Sequence, residues 1–184
     1  MKKTDKIFSA NHGILICKME EGKYRTKTAI PNLIRYVLRS EGSSKAGKSD
    51  VLCSGAYGAI DFLGERLIIK QFNQVSSLNT RNAEIKRYID HQIFEFSEIT
   101  EQILQQNPQM QKEICSDMTS ILSDDQYQIV YALHTPDEDS KHLHVHFAVN
   151  TVSFTTALKR QEYWHNTDVH LEKMDAYLEK KLKQ

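Results

Sequence analysis

Cysteine, proline and long apolar runs are all scarce in this chain of 184 residues. The three cysteines, Cys17, Cys53 and Cys115, are an odd number at wide spacing. The preferred reading is reduced, buried thiols in a cytoplasmic protein. No Cys-x-x-Cys pair occurs, so a structural zinc site is not expected. No apolar run approaches the roughly 18–20 residues that span a bilayer, so no membrane insertion is expected. The N-terminal MKKTDKIFSANHG lacks the apolar stretch of a secretory signal. Net charge is missing too: 24 Lys and Arg balance 24 Asp and Glu, which points away from a general polyanion binder.

That balance conceals an asymmetry. Residues 1–48 carry 11 basic and 4 acidic side chains, whereas residues 49–184 carry 13 basic and 20 acidic. A basic segment offset by an acidic remainder hints at a nucleic-acid contact on one side. With 40% hydrophobic and 26% charged residues, and neither repeat nor linker, the chain reads as one soluble domain over residues 1–184.

Strands are expected at His12–Met19, Arg87–Phe96, Gln126–His134 and His142–Phe154, with a short extended piece at Val51–Ala59. Thr28–Arg39 reads as a helix, capped by Thr28 and with Pro31 in its first turn. Asp168–Leu182 reads as a helix. Thr100–Leu122 reads as a long one that Pro108 breaks. Gly64–Ser77 fits either helix or strand, and Gly42–Ser49 reads as a mobile basic loop. Strands and helices without regular βαβ alternation imply an α+β fold with a mostly antiparallel sheet.

The strongest local signal is His142-Leu-His144-Val-His146-Phe-Ala-Val-Asn150. Alternate residues of a strand share a face, so the three imidazoles line one side and Leu143, Val145 and Phe147 the other. His134 ends the preceding strand, and half of the chain's eight histidines fall between His134 and His146. One such histidine would read as a surface residue. Four in this arrangement read as a metal site, because neutral imidazole is the commonest metal-binding side chain near neutral pH.

In Thr28–Arg39, Ile30, Leu33, Ile34, Val37 and Leu38 form one apolar stripe. At about 100° per residue, Asn32, Arg35, Tyr36 and Arg39 cluster opposite. Tyr36 reads either as a surface ring packed on arginine stems or as a phenolic nucleophile facing an anion. Lys23, Arg25, Lys27, Lys45 and Lys48 surround this helix in sequence and could follow a phosphate backbone.

The tyrosine in IPNLIRYVLRS, the segment YIDHQIFEFSE, and His134 followed by HLHVHFAVNTVSF appear in the order found in the relaxase/mobilisation nuclease family. Residues 28–155 resemble that family, a branch of the HUH single-strand DNA endonucleases, named for two histidines around a hydrophobic residue. The resemblance implies a central antiparallel sheet bearing the histidine strands with helices packed on it. It implies site- and strand-specific nicking at an origin of transfer, a 5′-phosphotyrosyl intermediate and strand rejoining. By position, Tyr36 matches the nucleophile, His144 and His146 the HUH pair, and His134 the third metal ligand. His91 matches the middle motif, which in relatives lies near the DNA, and Asn150 the polar residue ending the histidine strand. The resemblance also implies a divalent cofactor, Mg²⁺ or Mn²⁺, with Zn²⁺ or Ni²⁺ possible in vitro because imidazole favours softer ions.

Single-stranded DNA would then rest its phosphates on Arg25, Lys27, Arg35 and Arg39. Tyr88 could stack on bases, whereas Phe96 reads as core. Asp137 or Asp139 could orient a ligand histidine, though a solvated turn is the simpler reading of both. Accessory proteins at the origin and a coupling protein are implied partners. The chain departs from the pattern in two places. Glu95 precedes Phe96 where relatives often have serine, and a longer stretch before the triple histidine lets His142 compete with His134 as third ligand. The chain ends at Gln184, which reads as an isolated catalytic domain or a minimal member. Other readings are a histidine-triad nucleotide hydrolase or transferase with His144 as nucleophile and no metal, an HUH replication initiator or transposase, and a non-enzymatic DNA-binding or metal-storage module.

Overall fold

The computed structural model describes residues 5–19, 22–26, 28–79, 87–138, 140–160 and 167–183. In chain order the elements are β1 (Lys6–Ser9), β2 (Gly13–Cys17), α1 (Ala29–Leu38), β3 (Val51–Tyr57), α2 (Glu65–Ser77), β4 (Ile89–Phe96), α3 (Glu98–Gln105), α4 (Pro108–Ser123), β5 (Tyr127–His134), β6 (His144–Ser153) and α5 (Thr167–Lys181). The strands form one sheet in the order β1-β2-β4-β6-β5-β3, with every neighbouring pair antiparallel. This is the expected α+β class. No helix among the described residues is long and apolar enough to cross a membrane.

Both faces of the sheet are covered. On the back, Phe94, Phe96, Tyr131, Leu133, Val145 and Phe147 pack against apolar residues of α3, α4 and α5. On the front, Val130, Ala132 and Ala148 meet Leu33, Ile34 and Val37 of α1 and Ile68 and Phe72 of α2. Small alanines at the centre let these two helices approach the sheet. Because helices lie on both sides, every residue of β5 and β6 is buried, polar ones included.

Several local expectations are refined. Asn107 accepts from the Met110 N–H and starts a new helix at Pro108, so the long helix divides where proline is tolerated. Gly64–Ser77 resolves as helix, since Ile68 and Phe72 are one turn apart and both face the front core. Val51–Ala59 yields the edge strand β3, and the short, mostly exposed β1 was not anticipated. Thr28 makes no side-chain cap; its hydroxyl instead meets that of Thr26 at 3.1 Å. The histidine strand begins at His144 rather than His142.

Gly13 of β2 pairs with Phe96 of β4, and a Cβ at that position would collide with the backbone oxygen of Glu95 and the Phe94 ring. Overpacking of this kind costs about 1–3 kcal/mol. A Gly13→Ala protein should therefore melt several degrees lower, at roughly 2–4 °C per kcal/mol for a chain of this size. Thermal unfolding followed by circular dichroism checks this, and an unchanged Tm would contradict the tight β2–β4 approach.

Candidate active site

The front-face side chains of the three central strands form rows across the sheet. His144 of β6 lies between His134 of β5 and Glu95 of β4, and His146 lies between Ala132 and Ile93. His134, His144 and His146 each offer a ring nitrogen, and these atoms all lie within 4.8 Å of one another. The ring centroids are 4.5 Å apart for His134 and His146, 4.9 Å for His144 and His146, and 5.5 Å for His134 and His144.

Carbonyl oxygens select the tautomers of His144 and His134. The His144 Nδ1–H donates to the His142 carbonyl at 2.9 Å, which leaves Nε2 with the lone pair. His146 Nδ1 lies 2.9 Å from His91 Nε2, and His91 Nδ1 lies 3.0 Å from the Tyr24 hydroxyl. If His146 donates to His91 and His91 to Tyr24, His146 also keeps its Nε2 lone pair outward, the arrangement in which an outer partner orients a ligating imidazole. His134 is held differently. Its Nε2–H donates to the Val37 carbonyl at 2.8 Å, and its Nδ1 faces Arg39 Nη2 at 2.8 Å. An ion using that lone pair must displace the guanidinium or turn the ring.

Burial favours the neutral form of His91, His134 and His146. It lowers His91 and His146 well below the ordinary histidine value, with nearby cations and imidazoles adding to the effect. His134 is lowered to about 4, first by burial and then by Arg39. Three imidazoles whose ring nitrogens lie this close together have the donor set that a divalent cation needs.

Tyr36 reaches this cluster from α1. Its ring meets His91 edge-on at 5.8 Å and His146 at 5.5 Å between centroids, and the Arg39 guanidinium carbon lies 4.8 Å from its centroid. Tyr36, His91, His144 and His146 line a cleft of about 630 Å³ whose cationic side chains are Lys18, Lys23 and Lys45. Buried His134 lies beside it.

Residues 36–183 match the family described as relaxase, MobA/VirD2-like, nuclease domain. The chain belongs to this relaxase nuclease family. Comparison with curated proteins finds no match. Membership decides for a mobilisation relaxase, a DNA endonuclease, over a histidine-triad hydrolase or a storage module.

The relaxase fold places the remaining expected site residues unevenly. His142 precedes β6, and its Nδ1 pairs with Glu101 of α3 at 2.9 Å, so it stands outside the three-histidine cluster. Arg39 is not on an outer helix face. It follows the last helical residue with φ of 54°, so the 100° rule no longer applies and the side chain turns inward. Only 5% exposed, it donates through Nε to both Asp50 oxygens at 3.1 Å and through Nη1 to the Tyr36 carbonyl at 3.1 Å. Arg35 donates to Glu65 at 2.8 Å, and Arg25 is exposed. Lys27 and Asp139 lie outside the described residues.

Asp137 is not a solvated turn residue. Its carboxylate lies 3.6 Å from Arg39 and 3.7 Å from Lys45, which links it to His134 through the guanidinium. Asn150 is remote from the cluster. It donates to the Phe72 carbonyl and to Gln128 and accepts from Ser76, tying α2 to β6. Phe96 is core, and Tyr88 is half-buried under Lys159. Tyr24, Lys18 and Asp50 were not singled out from the sequence. Tyr24 joins the site across 67 residues of chain through His91, Lys18 bonds through its N–H to the His91 carbonyl, and Asp50 joins through Arg39; no short motif announces them.

The lowered imidazoles set an acid limit on the metal-free fold. Below the ordinary value of 6.5 the unfolded chain takes up protons that the folded chain refuses, so stability falls as pH falls. For His134 the loss runs from there to about 4. The urea midpoint should be lower at about pH 5 than at pH 7, with a shallower pH dependence in His134→Gln. Equal midpoints at both pH values would contradict neutral burial.

Proposed function

We propose that this domain cuts one strand of single-stranded DNA at an origin of transfer, with Tyr36 as the nucleophile. The observation that carries this reading is the placement of the Tyr36 ring against His91 and His146, in the lining of a lysine-bearing cleft. The Tyr36 Oη attacks the scissile phosphorus as the bond to the 3′ oxygen breaks. A phosphotyrosyl ester forms on the 5′ side and the leaving oxygen takes up a proton to become a 3′-OH. The phenol loses its proton in the same step. The ester conserves the diester linkage, so attack by a 3′-OH reverses the reaction and rejoins the strand.

His134, His144 and His146 would hold a divalent ion, Mg²⁺ or Mn²⁺, with Zn²⁺ and Ni²⁺ as softer substitutes in vitro. When bound it supplies charge neutralisation at the phosphate. His91 orients His146, and Tyr24 orients His91. Arg39 fixes the Tyr36 ring from one face and anchors the end of α1 through Asp50. Lys18, Lys23 and Lys45, with Arg25 outside the cleft, carry phosphates of the strand. Accessory proteins at the origin and a coupling protein complete the assembly in this reading.

With a labelled origin oligonucleotide and Mn²⁺, the protein should form an adduct that survives a denaturing gel. Tyr36→Phe should form none, and EDTA should abolish the product in the wild type. An adduct in Tyr36→Phe would remove Tyr36 from its role. Binding of the same oligonucleotide should weaken with salt with a log–log slope near −3 if Lys18, Lys23, Lys45 and Arg25 each neutralise one phosphate, at about −0.7 per contact for single strands. Lys23→Ala should flatten that slope by about 0.7, as read by fluorescence anisotropy.

A further inference from the structure

Glu95 is the one carboxylate among the described residues that line the cleft. It stands on β4 directly across from His144, on the side away from His134, and its oxygens are not among the clustered ligand atoms. Its position is fixed. The Ser140 hydroxyl donates to Oε2, and Ser140 is itself held by its N–H to Asp137 at 3.1 Å and by accepting the Asp137 N–H on its carbonyl at 2.8 Å. Oε1 has no partner among the described residues.

A fixed anion on the floor of a DNA cleft repels phosphate, so the strand's backbone must run along the lysines and turn something else toward Glu95. The remaining part of a nucleotide that can satisfy a carboxylate is an edge rich in N–H donors. Guanine alone presents two adjacent donors on its Watson–Crick edge, N1–H and N2–H, spaced for two carboxylate oxygens. That edge is free in a single strand. Each carboxylate oxygen has two acceptor sites, so Oε2 can keep Ser140 while taking part. Thymine offers one such donor flanked by carbonyls, and adenine and cytosine each pair an amino group with a ring acceptor that Glu95 would repel.

We propose that Glu95 is a base-reading residue that selects a guanine beside the cleaved phosphodiester. The proposal rests on the nicking reading above and names a feature of its substrate.

The test uses the full chain, Mn²⁺ and a library of randomised single-stranded oligonucleotides, with sequencing of the DNA captured covalently on the protein. The wild type should enrich guanine at one position flanking the nick, by roughly 5- to 100-fold over the other bases. Glu95→Gln should move that position to adenine, because an amide donates to N1 and accepts from the N6 amino group. Glu95→Ala should lose the preference there and keep the others. A second arm leaves the protein unaltered: inosine, which lacks the N2 amino group, should lower cleavage at that position, and 7-deazaguanine should not. Preferences identical in wild type and both variants, or variants that alter only the Mn²⁺ dependence, overturn the proposal while leaving the nicking reading intact. A wild type that captures no DNA overturns both.

Discussion

The site depends on the register of β6 between β4 and β5. Val145, Phe147 and Val149 lock into the back core, and that alternation turns His144 and His146 to the front. With both faces covered, a slip of one residue would drive imidazoles into the packing of α3, α4 and α5 and push Phe147 into the cleft. The apolar residues therefore set the geometry of the polar ones. His134 joins the row because antiparallel pairing sets it opposite His144, and Glu95 joins from the other side by the same rule.

Burying polar side chains this deeply is costly unless each finds a partner. The front face meets that demand with chains of hydrogen bonds rather than isolated pairs. Tyr24, His91 and His146 form one. Asp50, Arg39 and His134 form another, closed by the Val37 carbonyl. Each chain leaves little rotational freedom in the imidazoles it holds. The left-handed backbone at Arg39 costs about 1–2 kcal/mol for a residue other than glycine. The guanidinium it delivers to Asp50, His134 and the Tyr36 carbonyl offsets that strain, so one residue ends α1 and joins the Tyr36 helix to the histidine cluster.

Charge is distributed to match. Lys18, Lys23 and Lys45 all come from the basic N-terminal segment, and folding brings them to one cleft over strands from the acidic remainder. The zero total charge thus coexists with a locally cationic surface. Several cations of that segment also meet carboxylates: Arg35 meets Glu65, Arg39 meets Asp50, Lys18 meets Asp5 and Lys45 meets Asp137. Counting basic residues in a helix could not separate those that meet solvent from those that meet carboxylates on β3 flanks or α2.

The α+β class, the histidine strand, the tyrosine helix and the membership itself were legible in the sequence, because each rests on a short repeat of two or of three to four residues, or on motifs a few residues long. The separation of His142 from His144 and His146 was not, since a two-residue period says nothing about where a strand starts. Nor was the inward turn of Arg39, which follows from one backbone angle. Tyr24 and Glu95 reached the cleft through pairings that span dozens of residues. What the sequence by itself determined is which side chains share a face within one element. Which faces meet was decided by the tertiary structure, because that depends on strand order and on helices packing both sides of the sheet, and local periodicity carries no record of either.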